Sequence, residues 1–110
     1  MSKINHILSV CADPDLAAAR AMLLRDSGLE VSTAATRIEA EQAIAGGEFD
    51  ALVVGHTVPS EVATAVTEAF RKINPKARVV FVASGWFIPI RADRVVQVAD
   101  GPHALLAALL

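Results

Sequence analysis

The chain offers little material for covalent bracing, for stacking on bases or for crossing a bilayer. It has one cysteine, Cys11, so no disulfide can close within it, and a reducing compartment, the cytoplasm, is the expected one. Aromatic residues make up 5% of the chain, too few for a platform that stacks on single-stranded bases. The formal net charge is −2, which steers the molecule toward neither nucleic acid nor an anionic membrane. No uninterrupted apolar stretch approaches the roughly 18 residues of a membrane span. Met1 to His6 lacks the basic start and apolar run of a signal peptide. Repeats, low-complexity tracts and linker composition are missing as well.

What is present is a folded domain's composition. Of 110 residues, 54% are hydrophobic and 20% charged, far from the disordered regime. The length suits a single domain over residues 1–110 with a core of its own.

Apolar runs alternate with helical patterns, which predicts an α/β fold with a mostly parallel sheet. Ile7 to Cys11 reads as a buried first strand. Asp13-Pro14-Asp15 opens a helix with an N-cap, a proline at the first helical position and an acid at the positive dipole end. Leu16, Ala19 and Leu23 mark its apolar face and Gly28 its stop. Glu30 to Ala34 reads as a second strand, near an edge because it carries polar residues. Thr36-Arg37-Ile38-Glu39 fits a capping box, and Gly46-Gly47 closes the helix it opens.

Ala51 to Val54 is a third strand. Val62, Ala65, Val66, Ala69, Phe70 and Ile73 define a third helix that ends at Asn74-Pro75. Arg78 to Ala83 and Arg94 to Val98 are the fourth and fifth strands, and a last helix with Leu105, Leu106 and Leu109 follows Gly101-Pro102. The link between those two strands, Ser84 to Asp93, is shorter than the dozen residues a parallel crossover usually takes. It holds Pro89 and the run Trp86-Phe87-Ile88, so a connection with at most one helical turn is expected. A hairpin with an antiparallel fifth strand is the competing arrangement.

The order of elements and several strings resemble the response-regulator receiver domain, CheY-like, from Ile7 to Leu109. "ILSVCADPDLAAARAMLLRDSGLEVSTAAT" is similar to the family's first strand, first helix and second strand; "GEFDALVVGHTVP" resembles its third strand and loop; "INPKARVVFVASG" resembles its fourth strand; "PHALLAALL" fits its last helix. The resemblance implies a flavodoxin-like, doubly wound five-stranded sheet of order 2-1-3-4-5, with the ligand crevice beyond the strands' carboxyl ends.

In working receivers that crevice holds an acidic pair that helps bind magnesium, an acceptor aspartate, a hydroxyl residue and a lysine. Carried onto this chain, the acidic pair reads Cys11 and Ala12, with Asp13 just beyond. The acceptor position is Gly55. The hydroxyl falls on Ala83, or on Ser84 one residue later, and the lysine on Val98. Magnesium needs several hard oxygen ligands, and phosphoryl transfer needs an attacking group and neutralised equatorial oxygens. These substitutions remove both, so the expectation is a degenerate pseudo-receiver with no magnesium, no cofactor, no phosphorelay step and no enzymatic activity.

Other readings compete at the same place. Cys11, Asp13 and His56 would share the crevice and could form a zinc, redox, phosphorelay or small-ligand site. Zinc, however, takes four ligands and no spacing completes the set; His6 lies at the other end of the first strand. The plainer reading is an inert buried thiol and a solvated loop histidine. Asp50 precedes the third strand and is expected to serve its amino-terminal boundary. Ser84-Gly85 reads as an ordinary turn. Trp86, Phe87, Ile88 and Ile90, flanked by Arg91 and Arg94, either fill space left by a missing helix or form a surface for a protein partner or a second copy.

Overall fold

The computed structural model describes residues 4–110; Met1 to Lys3, part of the segment read for a leader, lie outside the described residues. The elements run β1 (His6–Val10), α1 (Pro14–Asp26), β2 (Glu30–Ala34), α2 (Arg37–Gly46), β3 (Ala51–Gly55), α3 (Ser60–Ile73), β4 (Arg78–Ala83), β5 (Arg94–Gln97), a 3₁₀ turn (Val98–Asp100) and α4 (Pro102–Leu109). The strands form one sheet of order β2-β1-β3-β4-β5, and every pairing is parallel. The flavodoxin-like topology expected from the sequence is therefore the one observed, and the antiparallel alternative for β5 is not.

A strand's side chains alternate between the two faces of its sheet. Leu8, Val10, Leu52, Val54, Val79 and Phe81 form one core with Ala40 and Ile44 of α2 and Ala63, Val66 and Phe70 of α3. Ile7, Ala51, Val53, Val80, Val82 and Val96 form the other, with Ala21 and Leu24 of α1 and Leu105 and Leu109 of α4. Each large apolar side chain taken fully out of water contributes about 1.5–3 kcal/mol, which is why the central strands read as unbroken apolar runs.

Local chemistry fixes the helix ends. Asp13 Oδ1 accepts from the amides of Asp15 and Leu16 at 2.9 and 3.2 Å. Thr36 Oγ1 accepts from Glu39 N at 3.2 Å, while Glu39 Oε1 reaches back to Ala35 N at 2.7 Å, one residue before the cap. Gly28 follows α1 at φ +90°, where a side chain would be strained.

Some boundaries and faces differ from the sequence reading. Strand β1 spans His6–Val10, so Cys11 stands just past it, and Val98 opens the 3₁₀ turn after β5. Helix α1 buries Ala21 and Leu24; Leu16, Ala19 and Leu23 instead line a cavity between α1 and α4. The helix meets two neighbours, sheet and α4, and each takes a different stripe. Helix α3 buries Ala63, Val66, Thr67 and Phe70, while Ile73 in its last turn is exposed.

Ser84 to Asp93 contains no helix. Ten extended residues reach about 33 Å, ample to return along a six-residue strand. The segment is tied at both ends. Gly85 N donates to Gln97 Oε1, and Gln97 Nε2 donates to Gly85 O. Val79 N donates to Asp93 Oδ2 at 2.7 Å, and Asp93 N to Val79 O at 2.8 Å. Between the ties Ile90 enters the core cluster that also holds Phe70, Phe81 and Ala83.

Candidate functional site

The carboxyl ends of β1 and β3 and the first turns of α1 bring together most positions singled out in the sequence. Cys11 is buried, with Sγ 3.4 Å from Thr57 Oγ1 and donating to Asp13 O at 3.5 Å. Ala12 N donates to the same Thr57 hydroxyl at 3.1 Å. The Asp13 carboxylate is occupied as the α1 cap. Gly55 ends β3 and is buried. Ala83 ends β4 and is buried; Ser84 and Val98 are exposed. Asp50 sits at the opposite end of the sheet, where Oδ2 accepts from Asn5 N and His6 N at 2.9 Å each, the boundary role expected of it.

Two residues that the sequence reading passed over shape this crevice. Thr57 is the side chain against Cys11. Arg20 of α1 reaches over Gly55: a Cβ built on that glycine would stand 2.9 Å from Arg20 Nη1, 3.7 Å from Val10 O and 3.8 Å from Cys11 Sγ. A guanidinium tip thus fills the space that a side chain at residue 55 would enter. The one hint in the sequence is a charge set within the Leu16, Ala19, Leu23 stripe, which by itself does not name Gly55 as its neighbour. His56 departs from the solvated-loop reading: it is partly buried, and its Nδ1 is buried with no hydrogen-bond partner among the described residues. The chain passes from Gly55 to Val58 in a turn closed by Val58 N donating to Gly55 O at 3.2 Å, which carries His56 off the strand.

The residues here do not fit a receiver's divalent cation. Such an ion wants several carboxylate or carbonyl oxygens around it. The crevice presents a thiol, a methyl group, a carboxylate already used as a cap, and a permanent cation. Among the described residues no three His, Cys, Asp or Glu side chains group so as to hold a metal ion. The acceptor position is a glycine and the lysine position a valine, so neither the receiver's acceptor carboxylate nor its ammonium is present at these two positions.

A second feature lies beyond β4. Trp86, Phe87 and Ile88 are 100%, 72% and 41% exposed, whereas Ile90 is 9% exposed. The run therefore divides: Ile90 fills core space left by the absent helix, and the preceding three residues stand at the surface. Arg91 and Arg94 are exposed; Arg91 O accepts from Arg71 Nη2 at 2.6 Å, and Arg94 Nη1 donates to Asp93 O at 2.9 Å. No helix of the described residues is long and apolar enough to cross a membrane.

Taken together, the all-parallel 2-1-3-4-5 sheet and its carboxyl-edge crevice define the flavodoxin-like fold that CheY-like receivers share. Solved structures agree. The chain is similar to a response-regulator receiver domain from Methanospirillum hungatei, at 22% identity and TM-score 0.82, covering 96% of this chain and 90% of that one. It is similar to the chemotaxis protein CheY4 of Vibrio cholerae, at 19% identity and TM-score 0.81, over 97% of both chains. A Burkholderia pseudomallei response regulator, solved with a phosphorylated aspartic acid, a calcium ion and citrate, superposes at TM-score 0.84 and 18% identity, covering 96% of this chain and 66% of that one. The sequence matches no protein-family model and no curated protein.

Proposed function

We propose that this chain is a pseudo-receiver: a docking module of bacterial two-component-type signalling that works by binding a protein and not by aspartyl phosphorylation. The observation that carries this reading is the surface run Trp86-Phe87-Ile88. Three adjacent large apolar residues exposed on one loop are the kind of patch that partners cover, and tryptophan is enriched among binding hot spots. The loop is held at Gly85 and Ile90, so the side chains are presented on an ordered frame and less entropy is lost on docking. The occupant is a second copy or a signalling protein, in the cytoplasm, with neither nucleic acid nor membrane as target. The glycine at the acceptor position supports a role without catalysis, without magnesium and without another cofactor.

Two measurements test it. Incubation with acetyl phosphate and magnesium followed by intact-mass determination should leave the mass unchanged; a stable gain of one phosphoryl group overturns the proposal. Trp86→Ala and Ile88→Asp should weaken self-association in sedimentation or capture of the native partner while leaving the circular dichroism spectrum intact. Unchanged association in both variants removes this surface.

A further inference from the structure

We infer that the crevice beside Arg20 is a binding site for a small organic carboxylate whose compact apolar body lies between α1 and α4. The inference does not rest on the docking reading, and it concerns a different part of the surface.

The first observation is an unsatisfied charge. Arg20 Nη1 is buried and has no hydrogen-bond partner among the described residues. The ion pairs of the described residues are Arg37–Glu41 and Arg71–Asp93, so no carboxylate of theirs neutralises Arg20. A guanidinium stays protonated in proteins. Burying a charged donor without an acceptor is costly, and an arriving anion relieves that cost. Arg20 as a whole is only partly buried, so the group remains within reach of a ligand.

The second observation is a shaped space next to that charge. Arg20 lines a cavity of about 230 Å³ whose other walls include Leu16, Leu23, Val82, Val98 and Leu105. Arg20 and Gln97 are the polar side chains in the lining, and the Gln97 amide is already engaged, donor and acceptor both, by Gly85. Among the described residues the wall is thus apolar with one cation that has no ion-pair partner. An apolar cavity of about 150 Å³ takes benzene, so this one suits a single ring or a short branched chain. Nη1 lies buried over Gly55, so the carboxylate is met by the other edge of the planar guanidinium, Nε and Nη2, which can give it two parallel hydrogen bonds. The site selects for the combination, since an anion without a body leaves the cavity unfilled and a neutral body leaves Arg20 unpaired. With so few ligand atoms, a Kd of about 0.1–1 mM is expected.

The experiment is a titration of the full chain with benzoate, followed by amide chemical shifts, with acetate and benzyl alcohol as separate arms for charge alone and body alone. Benzoate should saturate, shift Arg20, Val82 and Val98, and bind at least about tenfold tighter than either control. Arg20→Met should weaken benzoate by about tenfold or more. Ala19→Trp, which blocks the cavity from an exposed helical position, should abolish binding, and it serves as the test if Arg20→Met does not fold. No saturation by about 10 mM benzoate, an order of magnitude above the expected Kd, overturns the inference. Acetate binding as tightly as benzoate, or benzoate binding unchanged in either variant, overturns it too.

Discussion

Gln97 and Gly85 close a two-way hydrogen bond: the Gly85 amide donates to Gln97 Oε1 at 3.1 Å, and Gln97 Nε2 donates to the Gly85 carbonyl at 3.0 Å. One side chain at the end of β5 thus fixes the backbone from which Trp86 departs. Gly85 stands at φ +110°, a conformation that a side chain would strain. Gln97→Leu should lose about 1 kcal/mol of stability and speed amide exchange at Trp86 and Phe87. Hydrogen exchange by mass spectrometry reads both; unchanged exchange there would mean that the loop is held by other contacts.

Gly55→Asp restores a carboxylate at the acceptor position but not the receiver's chemistry. The new side chain meets the tip of Arg20, which is flexible and can give way, and the two charges pair. With Ala12 and Val98 unchanged, neither the acidic pair nor the lysine returns. The variant should fold and still gain no phosphoryl group from acetyl phosphate and magnesium, as intact mass will show.

Ile88 and Ile90 separate surface from core. Ile90→Ala opens a cavity in the core that holds Phe70 and Phe81 and should cost about 2–4 kcal/mol in denaturant unfolding. Ile88→Ala, in the surface part of the run, should stay within about 0.5 kcal/mol. Equal costs would mean that the run is not divided as described.

Asp13 is the last acid near the crevice, and its carboxylate caps α1 through the amides of Asp15 and Leu16. Asp13→Ala should therefore lower stability by about 1 kcal/mol, and Asp13→Ser should recover most of it. Failure of serine to rescue would assign Asp13 a role beyond the cap.

Much of this architecture was legible because local signals agreed. The caps at Asp13 and Thr36, the apolar strand runs and the short link after Ala83 each pointed to the elements observed. The misread stripe on α1 had a specific cause: periodicity reports an apolar face but not which neighbour covers it, and α1 has two. Arg20 and Thr57 escaped for another reason. Their importance lies in what stands opposite them, Gly55 and Cys11, and pairs separated by more than thirty residues become neighbours only when β1 and β3 align and α1 packs on the sheet. His56 was read as solvated, and its partial burial was not legible because strand alternation ends at Gly55, where the turn to Val58 begins.

The guanidinium over Gly55 is covalently part of the chain. A chelator cannot strip it, and a change in cellular ion levels cannot alter its occupancy. The positive charge over Gly55 is therefore written into the chain itself, and the arrival of a counter-charge is what would offset it.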